Sequence, residues 1–269
     1  MKKTFVNSFP KSGTNLMCKC LELFGYRELG GLASSQVLSR GWRSILRRIL
    51  WQSYTKQQGY LVGIDTPVEI VRWAIDSRLR KAHDATFLFG HVGYTADLLM
   101  KINAMEFKPI LIVRDPRAIL SSFVHYVLAN TSHALHIQFV KMTEDDRWKA
   151  GLVGYFEGRV TLQPLKLRCE ALAPWLNAPE VLKLRFEDLV GERGGGTNKS
   201  QVKILGQICH FLHIPQERIT AVSEQLFGPS KLTFRRGQVD SWKEEIPENI
   251  ILQANDVLEP ILTAWGYAK

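Results

Sequence analysis

Thr4-Phe5-Val6-Asn7-Ser8-Phe9-Pro10-Lys11-Ser12-Gly13-Thr14-Asn15 is the stretch from which the fold is read. A short apolar strand runs into a tight turn, and a segment with helical hydrophobic spacing follows. Such a junction aims backbone N–H groups and the positive end of a helix at one point, which suits a bound anion. Lys11 adds a full positive charge there, and Ser12, Thr14 and Asn15 add side-chain donors. Gly13 lets the backbone approach a ligand with no Cβ in the way. The stretch therefore reads as a phosphate-binding loop at the head of an α/β sheet.

A Walker A loop has the order G-x-x-x-x-G-K-[ST]. Here the lysine precedes the glycine and no glycine lies upstream, which weighs against an ordinary nucleotide hydrolase. A second segment, Ile110-Leu111-Ile112-Val113-Arg114-Asp115-Pro116-Arg117, opens with an apolar run that does not alternate. That pattern fits a strand buried on both faces. Asp115 and Pro116 then read as an N-cap and first helical residue. Arg114 thus falls at the carboxyl end of a strand, the ligand edge of an open α/β sheet. Ser122 follows eight residues later. A third segment, Phe234-Arg235-Arg236-Gly237-Gln238-Val239-Asp240-Ser241-Trp242-Lys243, is a basic loop near the C-terminus.

Together these segments resemble the sulfotransferases that use 3′-phosphoadenosine 5′-phosphosulfate. Pro10-Lys11-Ser12-Gly13-Thr14 is similar to their 5′-phosphosulfate loop. The resemblance assigns Arg114 and Ser122 to the 3′-phosphate. The third segment resembles the family's R-K-G-x-x-G-D-W-K stretch, which closes over that phosphate. Asp240 and Ser241 stand where that pattern has glycine and aspartate, so Arg235, Arg236 and Gly237 are the phosphate contacts carried over. The order and approximate spacing hold over most of the 269 residues.

Sulfuryl transfer to an alcohol is in-line chemistry governed by positioning and charge stabilisation. It needs a base for the acceptor's proton and a cation for the leaving oxygen. By the resemblance, Lys11 takes the second role. The base is expected at His91, which ends the apolar run Thr86-Phe87-Leu88-Phe89-Gly90 and lies 23 residues before Arg114. The family's catalytic histidine likewise ends a strand a little over twenty residues before its phosphate arginine. The ordinary imidazole pKa suits proton transfer near neutrality. Many cytosolic members carry a lysine two positions before that histidine; here the residue is Phe89. Leu16 stands where the family often places an adenine-stacking tryptophan, and Phe227 is a candidate for the other face of the base, or a plain core residue. Arg185-Phe186-Glu187-Asp188 resembles the family's R-Y-E-D motif without its hydroxyl.

Two rival classes are weighed. A P-loop kinase or nucleotide hydrolase needs an acidic Mg²⁺ ligand after a neighbouring strand, where this chain has Arg114. A non-catalytic basic binding module needs only the charge. The formal net charge is +9, from 35 basic and 26 acidic residues. A polyanionic cofactor accounts for part of it. No nucleic-acid-binding signature appears, so nucleic acid is not an expected partner. The expected acceptor is an alcohol: a carbohydrate, a glycolipid or a small alcohol.

Hydrophobic residues make up 45% of the chain, enough for one large α/β domain over 1–269. Cys18, Cys20, Cys169 and Cys209 form neither a zinc pattern nor a disulfide framework, which fits a reducing compartment. His125, His133 and His136 lack the ligands that would complete a metal site, so no metal is expected. Met1-Lys2-Lys3 runs straight into a strand with no apolar leader, and the expectation is a cytoplasmic enzyme.

The expected elements alternate, which implies a central, mainly parallel sheet flanked by helices. Strands are read at 4–8, 61–64, 86–89, 109–113 and 181–186. Helices are read at 14–24, 40–58, 67–82, 94–105, 116–128 and 198–212, with a helical region over 148–176 interrupted by Pro164. Residues 129–147 read as a mobile insertion near the acceptor side, and Gly191-Glu192-Arg193-Gly194-Gly195-Gly196 as a flexible loop. The 40–58 helix puts Trp42, Ile45, Leu46, Ile49 and Leu50 on one stripe flanked by arginines. That is the look of a helix lying on a membrane surface, and equally of a solvated helix over a core.

Overall fold

A computed structural model of the chain describes residues 1–32, 59–65, 67–157, 160–228 and 236–267. The 40–58 helix, and with it the membrane contact, lies outside the described residues, as does Arg235.

The molecule is organised around β1 (Thr4–Ser8), buried along its whole length. The chain continues through α1 (Thr14–Leu23), β2 (Arg27–Gly31), β3 (Tyr60–Val62), β4 (Val68–Ile70), α2 (Arg72–Leu79) and β5 (Thr86–Gly90). Next come α3 (Ala96–Ala104), β6 (Lys108–Val113), α4 (Pro116–Ala129), α5 (His136–Lys141), α6 (Glu144–Val153), α7 (Leu165–Glu170), α8 (Ala173–Asn177) and β7 (Leu182–Arg185). The chain ends with α9 (Phe186–Leu189), α10 (Asn198–Leu212), α11 (Ile219–Leu226), α12 (Trp242–Glu245), α13 (Glu248–Val257) and α14 (Glu259–Trp265).

The five-stranded sheet has the order β2-β5-β1-β6-β7, and every pairing in it is parallel. A parallel strand covered on both faces must be apolar throughout, which is why β1, β5 and β6 carry Phe5, Val6, Phe87, Leu88, Ile110, Leu111 and Ile112 without alternation. The two faces bury separate cores. One holds Phe5, Phe9, Ile119 and Trp175. The other holds Met17, Phe87, Ile112, Leu205 and Ile208 under α1 and α10. The register Asn7↔Gly90, Ser8↔Ile112 and Val113↔Arg185 brings the carboxyl ends of β1, β5, β6 and β7 level. Whatever follows those strands is gathered along one edge.

The structure departs from the sequence reading in several places. Residues 60–62 do not join the parallel sheet; β3 pairs antiparallel with β4 in a separate hairpin. The helix expected from 67 begins only at Arg72, because β-branched Val68 and Ile70 extend into β4. The region 148–176 breaks at Gly154, whose φ of 95° a helix cannot hold, and Tyr155 pairs with Leu162 before α7 begins. Residues 129–147 are packed against the body of the molecule: α5 buries Phe139 completely in the larger core. The glycine run forms a 3-10 turn at Glu192–Gly194, and Gly194 accepts a hydrogen bond from Val239 N–H at 2.9 Å. A Cβ on Gly194 would lie 2.8 Å from Gly237 O and 3.0 Å from Phe227 Cε2, so these glycines serve close packing. Among the described residues, no helix is long and apolar enough to cross a membrane.

Candidate active site

The turn between β1 and α1 is tight because two residues take left-handed backbone. Lys11 has φ 72° and Gly13 has φ 105°. For the lysine this costs about 1–2 kcal/mol, a strain typical of functional turns. Gly13 is also sterically required, since a Cβ there would approach Phe186 Cδ2 to 2.7 Å. It is the N-cap of α1 and gives no side-chain cap. No Gly13 side chain competes for the first-turn amides, the donors that a helix cannot satisfy internally.

Lys11, Gly13, Thr14 and Asn15 line a cavity of about 370 Å³ at the sheet edge. Arg114, Ser122, Phe227, Arg236, Gly237 and His91 line the same cavity. Sequence-remote residues are thereby brought to one place. Ser12 is the exception. It is fully buried, its hydroxyl donates to the carbonyls of Phe9 (2.7 Å) and Ile112 (3.0 Å), and its N–H donates to Phe9 O. With its N–H and its hydroxyl turned to backbone carbonyls in this structure, Ser12 stands outside the lining and fastens the loop to β6.

Arg114 follows β6 and is 8% exposed. Its guanidinium donates to Gln238 O at 2.8 Å and to Lys11 O at 3.5 Å. It lies 4.3 Å from the ring centre of Phe186. Phe186 therefore has a part the sequence reading did not give it: it stacks beneath the arginine and fills the space beside Gly13. Asp115 caps α4 and holds Arg117 in a bidentate pair, with contacts of 3.0 and 2.7 Å. Its backbone N–H donates to Glu187 Oε1 at 3.0 Å, and Tyr267 donates to Glu187 Oε2 at 2.6 Å. Burial pushes the Glu187 carboxyl above its usual range. The C-terminal segment crosses the same region, where Arg236 pairs with Glu245 at 3.1 Å. At the apolar end, Leu16, Val190 and Phe227 line the cavity, with Arg193 5.2 Å from the Phe227 ring centre.

His91 is fixed from several directions. Asn7 and Val92 exchange a reciprocal pair of hydrogen bonds, both 2.9 Å, and the His91 carbonyl accepts from Gly63 N–H. The ring Nδ1 lies 2.9 Å from Ser8 O and 3.1 Å from Ser8 Oγ. A carbonyl only accepts, so Nδ1 carries the hydrogen in the neutral ring and Nε2 holds a lone pair. Burial lowers the imidazole pKa; the Ser8 carbonyl and then Asp65 oppose that shift, while Lys11 adds to it. The ring is therefore neutral at neutral pH and can accept a proton at Nε2. Ser8 Oγ also bonds Thr14 Oγ1 at 2.7 Å, linking the loop to the histidine. Lys11 Nζ sits 3.9 Å above the Tyr126 ring.

Asp65 and His133 also line the cavity; the sequence reading put the stretch that holds His133 near the acceptor side and did not single out Asp65. Asp65 accepts from Arg168 at 2.7 Å, and Arg168 is only 2% exposed. A buried arginine in the helical stretch after Pro164 is the signal that a partner carboxylate exists. Among the described residues, no three His, Cys, Asp or Glu side chains are grouped for a metal.

An open parallel α/β sheet with an anion-binding turn at its carboxyl edge defines a class of nucleotide-handling proteins. The family is set by sequence: the sulfotransferase-domain model matches residues 1–266, and the chain belongs to that family. No curated protein matches the chain by sequence. Among solved structures, mouse sulfotransferase SULT7A1 complexed with PAP is similar at 16% identity and TM-score 0.60, over 97% of this chain and 85% of that one. Retinol dehydratase with androsterone and inactive cofactor PAP is similar at 17% identity and TM-score 0.59, over 97% and 80%. Its complex with retinol and PAP gives 18% and 0.58, over 97% and 81%. These likenesses establish the fold.

Proposed function

We propose that the protein transfers a sulfuryl group from 3′-phosphoadenosine 5′-phosphosulfate to an acceptor hydroxyl. The observation that carries this is His91, its Nδ1–H tied to Ser8 O, lining one cavity with Lys11 and Arg114. The residues present suit the nucleotide. The residue that starts α1 gives no side-chain cap, and Arg114 and Ser122, eight residues apart, line the same cavity. PAP in the similar structures supports the same ligand.

The bound nucleotide supplies an activated sulfuryl group. His91 Nε2 takes the proton of the acceptor hydroxyl as that oxygen bonds to sulfur. Lys11 Nζ stabilises the phosphate oxygen released when the S–O bond breaks. Arg114, Ser122, Arg235, Arg236 and Gly237 hold the 3′-phosphate, and Phe227 and Leu16 cover the adenine. The acceptor is a carbohydrate, a glycolipid or a small alcohol.

A kinase reading is disfavoured by the carboxylate at the end of β6, because Asp115 is consumed by Arg117 and by its own helix cap. Calorimetry with adenosine 3′,5′-bisphosphate against ATP–Mg²⁺ separates the two. Metal-independent binding of the bisphosphate is expected; preference for ATP–Mg²⁺ would overturn the assignment. Sulfate transfer from radiolabelled cofactor across an acceptor panel then tests the activity.

A further inference from the structure

His133 stands edge-on to the Tyr126 ring, centroids 5.7 Å apart, and that ring also carries Lys11 Nζ at 3.9 Å. His133 therefore belongs to the reacting end of the cavity it lines. Leu135 N–H donates to its Nδ1 at 3.2 Å. A neutral imidazole has one donor and one acceptor nitrogen, so an accepting Nδ1 places the hydrogen on Nε2. His91 is wired in the opposite sense, with Nδ1 donating and Nε2 accepting. One cavity thus presents an imidazole acceptor and an imidazole donor. Asp65 adds a carboxylate, one oxygen of which holds Arg168, while the side chain keeps 26% of its exposure. Phe89, where cytosolic relatives often carry a lysine, lines the same cavity with an apolar ring.

We propose that His133 and Asp65 form an acceptor subsite, and that the acceptor is an uncharged polyhydroxy compound of the sugar or glycoside kind. The assignment rests on the sulfotransferase reading above. A hydroxyl neighbouring the reacting one can accept from His133 Nε2–H and donate to Asp65, satisfying both. An acceptor with a single hydroxyl leaves His133 Nε2–H and the second Asp65 oxygen desolvated without that partner, and sites built to hydrogen-bond a substrate discriminate strongly against analogues lacking it. An anionic acceptor would face the Asp65 oxygen that Arg168 does not hold, where like charges repel.

The test compares octyl glucoside with 1-octanol as acceptors for radiolabelled cofactor, so that chain length is held constant. The wild-type kcat/KM is expected to favour the glucoside by ~100-fold or more. His133→Phe is expected to lower kcat/KM on the glucoside about tenfold, mainly through KM, while the affinity for adenosine 3′,5′-bisphosphate stays within twofold. His133→Gln, which keeps a donor, should recover part of the loss. It also serves as the comparison if the phenylalanine variant fails to bind the bisphosphate. Equal rates on the two acceptors, or a folded His133 variant with unchanged KM, would overturn the subsite. Bisphosphate binding with no transfer to the glucoside sinks the acceptor class alone. Absence of bisphosphate binding in the wild type sinks the sulfotransferase reading and the subsite with it.

Discussion

The two ends of the cavity are built differently. The end around Gly13 and Arg114 is made largely of backbone: an uncapped helix start, a left-handed turn, and residues that directly follow parallel strands. The end around His91 is made of side chains from separate segments: Asp65 from the turn after β3, His91 from the end of β5, and His133 from the stretch between α4 and α5. Anion binding needs only oriented amides and a few fixed cations, so it is written as short motifs with set spacing. Recognition of a second molecule depends on individual side chains, and these can change without disturbing the sheet.

If the two ends act separately, substitutions at one should leave the other's observable alone. The largest effect is expected for Lys11→Ala, which should lower kcat by ~10²–10³-fold in single-turnover assays. His91→Ala should lower turnover by at least ~100-fold while bisphosphate affinity by calorimetry stays within twofold. Equal losses in turnover and affinity would erase the distinction between the ends. Arg114→Ala should do the converse, weakening bisphosphate binding about ten- to a hundredfold with a smaller change in kcat. Phe227→Ala should weaken it only about two- to tenfold; no change would make Phe227 a core residue. The pH profile sharpens the picture. Because burial lowers the His91 pKa, kcat/KM should rise with pH through an inflection below 6.5 and then level off. An inflection above that value would point to another base.

Much of this was legible in the chain itself, and the reason differs by element. β1, β5 and β6 are apolar runs buried on both faces, and the strand-to-helix turns after β1 and β6 carry Gly13 and the Asp115-Pro116 start. Local chemistry settled these. The type of Ser12 suits a phosphate and a backbone carbonyl equally well, and only the fold shows its hydroxyl turned to Phe9 and Ile112. Phe186 read as a lost hydroxyl, because stacking under Arg114 depends on β6 and β7 being neighbours. Asp65 and His133 sit in no motif; their place follows from the β3–β4 hairpin and from α5 docking, which are long-range consequences of packing. Buried Arg168 was the available hint that a carboxylate waited elsewhere.

Ser8 Oγ lies within reach of Thr14 at 2.7 Å and of the His91 ring at 3.1 Å. With Nδ1–H turned toward Ser8, the serine oxygen can only accept from the ring, and its own hydrogen is left for Thr14 or for the Gly90 carbonyl 3.4 Å away. Position 8 thereby ties the anion loop to the imidazole through a single atom, a tie that alanine there would cut while leaving the strand intact.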